Sequence, residues 1–328
     1  MKQTVIDLHT NKIVKVEQAT DAPFYLTWII NNICTNQCSY CPTDLHTGVN
    51  HNYDWNNARK FFDTLFEKYG KVFCSIAGGE PSVSPFLPEV VKTFHTKGSG
   101  VSITTNGAKT ADYWNDIAPY ISSLVFSWHP EFVDQKFLEK VLAASKHTRV
   151  TVRIMMYNHH WKKSVDAFNF YKTIPEIDMV TPVRVYDWVG KVDIDSHNYT
   201  AEQLEWFKEN QSVGHFNKRP NIVTPGTDLK FYFSDGTSIV NPSIINFINQ
   251  GYTNFRNHIC EAGVKHLYVN WEGNVYRANC RIGGVIGNIN DPDNIQWPTS
   301  PILCTQDLCS CSTDVIINKS TFKLSKNK

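Results

Sequence analysis

Three cysteines, Cys34, Cys38 and Cys41, stand within Ile33-Cys34-Thr35-Asn36-Gln37-Cys38-Ser39-Tyr40-Cys41-Pro42, at the spacing Cys-x3-Cys-x2-Cys. Thiolates this close are soft ligands, which suits iron–sulfur ligation. Three ligands on a four-iron cluster leave one iron open to a substrate or cofactor. A structural zinc site normally wants four closed ligands, usually as two Cys/His pairs. His46 and His51 are the available fourth ligands, and neither stands at a convincing spacing. Buried free cysteines are the remaining alternative.

The elements that must position these thiols follow from periodicity. The apolar run from Tyr25 to Ile30 reads as a strand, and the polar stretch from Pro42 to Tyr53 as a loop. The thiols therefore leave the C-terminal end of a strand. Asp54 is an N-cap for a helix to about Tyr69, with Phe61, Phe62, Leu65 and Phe66 on one face and Gly70 as its stop. A second strand, Val72 to Ala77, ends in Gly78-Gly79-Glu80-Pro81, where paired glycines let the backbone approach a ligand. Cys74 inside that strand reads as a small buried apolar residue.

Helices then alternate with strands. Helices fall at Phe86–Lys97, Thr110–Tyr120, Val133–Ala144 and Trp161–Thr173, and strands at Gly100–Thr105, Ile121–Ser127, Arg149–Met156 and Met179–Asp187. Repeated β–α units predict an α/β fold with a parallel sheet and right-handed crossovers. Six such units are too few for the closed eight-stranded barrel. Functional side chains of such sheets lie beyond the C-terminal strand ends. That rule selects Thr105, Asn106, Ser127, His129, Arg153, Met155 and Arg184 to Tyr186. His129 reads either as an acid or base facing the substrate or as a plain loop histidine.

The rest of the chain breaks the alternation. Val5 to Val16 reads as a hairpin turning at Thr10-Asn11-Lys12 that covers one end of the sheet. Between Val189 and His258 we expect a helix from Thr200 to Glu209 with a Thr200/Gln203 capping box. A hairpin over Phe231–Val240 turning at Asp235-Gly236 and a helix over Pro242–Asn249 ended by Gly251 follow. This region reads as an insertion over the open side of the sheet, either a substrate lid or a spacer. Lys140 to Lys146 reads as a solvated helix face. Cys260 and Cys280 flank a hairpin with its turn at Glu272-Gly273-Asn274, and Cys304, Cys309 and Cys311 follow. The tail after Asp314 is polar and Lys-rich and reads as mobile. The expected division is 1–20 hairpin, 21–188 barrel, 189–258 insertion, 259–315 cysteine-bearing domain and 316–328 tail.

Composition narrows the classes. With 328 residues and 41% apolar content the chain can bury a large core. A net charge of +1 gives no basic field for nucleic acid, and no apolar run is long enough to span a bilayer. Met1-Lys2-Gln3-Thr4 opens no secretory apolar segment. The nine cysteines gather toward the two ends, which suits metal ligation in a reducing, cytoplasmic setting better than disulfides.

The cysteine triad followed at the next strand end by Gly78-Gly79-Glu80-Pro81 resembles the radical S-adenosylmethionine (radical SAM) superfamily. The resemblance implies a partial (β/α)6 TIM-like barrel with Cys34, Cys38 and Cys41 on a four-iron cluster. The open iron chelates S-adenosylmethionine, which is cleaved to a 5′-deoxyadenosyl radical. Tyr40 then packs near the adenine, and Gly78, Gly79, Glu80 and Pro81 meet the methionyl group. Thr105, Asn106, Ser127 and Arg153 are candidates for the cofactor's other polar groups. The cysteine-flanked hairpin with its trailing cysteines resembles the auxiliary-cluster domain SPASM or its shorter form, twitch. That implies a second four-iron cluster on four of Cys260, Cys280, Cys304, Cys309 and Cys311. The implied substrate is a peptide or a sugar- or aminocyclitol-like molecule, with a flavodoxin- or ferredoxin-type electron donor. A non-catalytic iron–sulfur carrier is the alternative, and it needs no Gly-Gly-Glu-Pro segment.

Overall fold

The computed structural model describes residues 11–46, 48, 54–132, 134–185, 199–215 and 229–321. The chain opens with β1 (Ile13–Glu17) and β2 (Phe24–Ile29). Helix–strand units follow: α1 (Trp55–Tyr69) and β3 (Val72–Ala77), α2 (Leu87–Thr96) and β4 (Gly100–Thr105), α3 (Ala111–Ile117) and β5 (Ser123–Trp128). Two more are α4 (Phe137–Ser145) with β6 (Arg149–Met155) and α5 (Trp161–Tyr171) with β7 (Met179–Val183). Then come α6 (Ala201–Glu209), β8 (Val213–Gly214), β9 (Lys230–Phe233), β10 (Ser238–Val240) and α7 (Ile244–Asn249). The chain continues through β11 (His258–Cys260), β12 (His266–Val269), β13 (Asn274–Tyr276), β14 (Val285–Asn288), β15 (Ile302–Leu303), α8 (Ser312–Val315) and β16 (Lys319–Thr321).

Strands β2 to β7 are parallel neighbours in sequence order, the α/β arrangement expected from the alternation. Local chemistry sets the elements. The Asp54 carboxylate accepts from the Asn56 and Asn57 amides and starts α1; Gly70, at φ 69°, ends it. Phe61, Phe62, Leu65 and Phe66 pack that helix onto the sheet, and every residue of β2 is buried. Cys74 is fully buried, as a small apolar residue would be.

The ends of the chain depart from the expected division. β12 pairs in parallel with β2, so the cysteine-flanked hairpin extends the main sheet, whose order is β14-β13-β12-β2-β3-β4-β5-β6-β7-β8. A second sheet, β10-β9-β1-β16-β11-β15, takes strands from the N-terminal stretch, the insertion and the C-terminal segments. The boundaries at 20, 258 and 315 therefore cut through one sheet. Its core pools Ile13, Val16, Phe231, Phe233, Phe247, Phe255 and Val315, since no one piece brings enough apolar surface to be stable alone. The proximal tail is part of that sheet, with Ile317 and Lys319 buried. Residues 5–10 of the expected hairpin lie outside the described residues. Lys140 is also a correction: its ammonium is buried, donating to the Gly107 carbonyl and pairing with Asp134.

Candidate active site

The cysteine loop rises from β2 and is braced by the Gly-Gly-Glu-Pro segment after β3. Gly79 N–H donates to the Asn31 carbonyl (3.0 Å) and Glu80 N–H to the Ile33 carbonyl (2.6 Å). A Cβ at Gly79 would overlap the Ile33 carbonyl and lie 2.6 Å from the Leu45 carbonyl oxygen; one at Gly78 would lie 2.6 Å from the Asn31 carbonyl oxygen. The paired glycines are thus required by the close approach of the protein's own backbone. The Glu80 side chain is fully buried and turns inward, accepting from Ser82 N–H (2.9 Å), Thr105 Oγ1 (2.7 Å) and Asn106 N–H (2.6 Å). Burial raises its pKa, and those donors oppose the rise. Thr105 also accepts from Gly107 N–H, so its hydroxyl is committed to the loop. Pro81 is buried at the start of a single 3-10 turn.

The thiols are met by donors and aromatics. Cys34 Sγ accepts from Asn36 N–H (3.4 Å) and from the Asn106 amide (3.5 Å). His129 Nδ1 lies 2.8 Å from the Tyr40 hydroxyl and 3.5 Å from Cys38 Sγ. Burial pushes the imidazole down to about 4, so it is neutral near pH 7. Tyr40 stacks beside His129 and Tyr157. Glu131 takes Ser39 N–H (2.8 Å) and Oγ (2.6 Å), clamping the middle of the loop. Burial lifts Cys34, pushes Cys38 up to about 12 and Cys41 up to about 11. His46 lies against the Cys41 carbonyl, and His51 is outside the described residues. Among the described residues no three His, Cys, Asp or Glu side chains converge on a single ion.

An open cleft runs along the sheet's inner face below the loop. Arg153 of β6 lines it and is its one charged lining residue among those described. The guanidinium has no hydrogen-bond or ion-pair partner among the described residues, and burial works against its charge. Ser127 pairs with Arg153 in register and shares a face with the cleft-lining Val125. Ile244, Ile245, Ile248 and Asn249 of α7 close the opposite side, so part of the insertion walls the cleft. Met155 is half-buried at the end of β6. Arg184 is buried, donates to the Asn249 carbonyl (2.8 Å) and lies near the Tyr199 and Phe207 rings, tying the end of β7 to α7. Tyr186 lies outside the described residues.

A separate cavity lies behind that cleft, lined by Cys260, Cys280, Cys304 and Cys309 together with Asp314 and Lys319. Cys311 is not among its lining residues and faces the cleft with Ser310, Ser312 and Thr313. Burial raises Cys260, pushes Cys280 up to about 12 and lifts Cys309 well above the usual thiol range. Sequence reasoning missed Asp314 and His266. The Asp314 carboxylate accepts from the Asn279 and Cys280 backbone N–H groups and lies 2.9 Å from His266 Nδ1, and His266 Nε2 lies 3.0 Å from the Thr27 hydroxyl of β2. An acid three residues past a cysteine run, in a stretch rich in aliphatics, was the available signal.

Residues 28–173 match the family model described as the radical SAM superfamily. Over 97 residues the chain is 29% identical to the mycofactocin maturase MftC of Mycobacterium tuberculosis, which takes in 30% of this chain and 25% of the maturase. Its fold is similar to Streptococcus suis SuiB bound to precursor peptide SuiA, with a TM-score of 0.55 and 11% identity over 85% of this chain and 65% of SuiB. It is also similar to anSMEcpe with bound AdoMet and Cp18Cys peptide, with a TM-score of 0.50 and 14% identity over 81% of this chain and 77% of that one. The chain thus spans a quarter of the curated maturase and 65% of SuiB. No helix among the described residues is long and apolar enough to cross a membrane. The braced cysteine loop and strands β3 to β6 all lie within residues 28–173, the stretch that is similar to the radical SAM superfamily.

Proposed function

We propose that this chain is a two-cluster radical SAM oxidoreductase that modifies a peptide. The observation that carries the reading is a shared wall. Along 309–317, Ser310, Cys311, Ser312, Thr313 and Ile316 line the cleft, while Cys309, Asp314 and Ile317 line the four-cysteine cavity. One segment would thus separate a substrate in the cleft from an electron acceptor behind it.

The residues fit the implied groups. Cys34, Cys38 and Cys41 would hold the first cluster, with N–H donors already on Cys34. Cys260, Cys280, Cys304 and Cys309 are the four thiols a closed second cluster requires. Cys311, counted among the candidates from sequence, would be left to the cleft. When bound, the first cluster and S-adenosylmethionine supply the electron and the 5′-deoxyadenosyl radical that takes a substrate hydrogen. The chain's own task is placement. Arg153, an unpaired cation, would take the cofactor's carboxylate, with Ser127 beside it. Backbone groups of Gly78 to Pro81 would face the methionyl amine, and Tyr40, fixed by His129, would flank the adenine. Glu80, Thr105 and Asn106 act on the cofactor indirectly, by holding the loop and Cys34 in place.

Two observations favour a peptide over an aminocyclitol. The cleft's described lining includes no carboxylate to meet ammonium groups. Two of the similar solved structures, SuiB with SuiA and anSMEcpe with Cp18Cys, hold a peptide by their descriptions. A flavodoxin- or ferredoxin-type donor in the cytoplasm would supply the first electron. The test is anaerobic reconstitution with dithionite and assay of 5′-deoxyadenosine. Formation by the native chain, and none above background from Cys34→Ala/Cys38→Ala/Cys41→Ala, is expected. Equal background from both would leave a non-catalytic iron–sulfur carrier.

A further inference from the structure

We propose that Lys319 sets the potential of the four-cysteine site, making it an electron acceptor. This inference rests on the two-cluster reading above. Lys319 is 4% exposed and stands in register with Cys260 across the β11–β16 pair. Its ammonium donates to the carbonyls of Asp314 (2.8 Å), Val315 (2.9 Å) and Ile317 (2.7 Å) and lies 4.5 Å from the Phe255 ring centroid. Three donors meet three neutral acceptors, so the charge is held in place without being cancelled. The one other charged group lining the cavity among the described residues is the Asp314 carboxylate, which faces His266 and two amides. It does not pair with the ammonium.

Four thiolates already carry excess negative charge, and each added electron increases it. Inside a protein a fixed cation is poorly screened, so it lowers the cost of that electron. Net charge, hydrogen bonds to sulfur and exposure set cluster potentials. Lys319 therefore raises the site's potential, and Asp314 opposes it. The step served is loss of one electron and one proton from a substrate radical in the cleft. The electron goes to the four-thiol site and the proton to water, leaving a closed-shell product.

The test uses the full chain carrying Cys34→Ala/Cys38→Ala/Cys41→Ala, reconstituted with iron and sulfide and titrated potentiometrically by electron paramagnetic resonance. Lys319→Met should lower the midpoint so that the reduced-to-oxidised ratio at a fixed potential falls at least tenfold, ~59 mV for a one-electron couple. Lys319→Arg should stay near the parent, and Asp314→Asn should move the other way. A Lys319→Met protein with full iron and the parental midpoint overturns the proposal. If Lys319→Met loads no iron, Lys319→Gln carries the same readout. Loss of iron in both, beside normal loading of Lys319→Arg, assigns the residue to assembly and also overturns it. A parent chain without iron defeats the two-cluster reading itself.

Discussion

The two cysteine regions are assembled in opposite ways. Cys34, Cys38 and Cys41 sit on one loop, which is fixed by two backbone hydrogen bonds from the next strand end. Cys260, Cys280, Cys304 and Cys309 come from four places, brought together by pairing of β11 with β15 and β16 and by the β12–β13 hairpin. Closing a short loop loses little chain entropy; gathering distant segments loses more and must be offset by a folded sheet. Metal loading at the second site should therefore be coupled to folding of the second sheet, and loading at the first to the shape of a single loop.

The largest expected effect separates the two regions outright. Replacing Cys34, Cys38 and Cys41 by Ala should leave about four irons, those of one cluster. Replacing Cys260, Cys280, Cys304 and Cys309 should leave the other four and preserve 5′-deoxyadenosine formation, while lowering the unfolding temperature more than the first set does. Iron analysis and calorimetry check both; identical thermal losses would break the contrast.

Next comes Gly79→Val. Its side chain has no room against the Ile33 and Leu45 carbonyls, so we expect a loss of ~3 kcal/mol or more and failure to load the first site. Full iron with an unperturbed melting curve would show that the loop yields. Glu80→Gln should cost less, ~2 kcal/mol, because a carboxylate serving three donors becomes an amide with one acceptor oxygen. Loading would persist, and the response of the reduced cluster's spectrum to S-adenosylmethionine should weaken.

Protons sharpen the contrast further. Burial raises thiol pKa in both regions, so these thiols carry protons near pH 7, and ligation must release them. Iron loading should therefore become faster as pH rises from 7 to 9, followed by absorbance during reconstitution. A rate flat with pH would contradict the buried-thiol account. The smallest effect is reserved for Cys311→Ser. It faces the cleft, so iron content should match the native chain; loss of the second cluster's iron would place Cys311 among the ligands.

Much of this was legible because it is local. The Asp54 cap, the Phe61–Phe66 stripe, the Thr200/Gln203 capping box and the Asp235-Gly236 turn all lie where the sequence places them. Each is decided by neighbours within a few residues. Lys140 reads from sequence as solvated because a charged residue's partner can sit on another element, which spacing does not report.

By itself the sequence determined the thiol triad, the strand ends that carry it and the order of β–α units, since 3.6- and 2-residue periods and short spacings are properties of the chain. Tertiary structure alone decided three further points. The N-terminal strand, the insertion hairpin and the tail became one sheet, because each alone buries too little apolar surface. Glycines at Gly78 and Gly79 serve a backbone-to-backbone approach, which depends on where the cysteine loop lies. Four of the five C-terminal cysteines line one cavity and Cys311 another, because their segments approach one another through strands far apart in the chain.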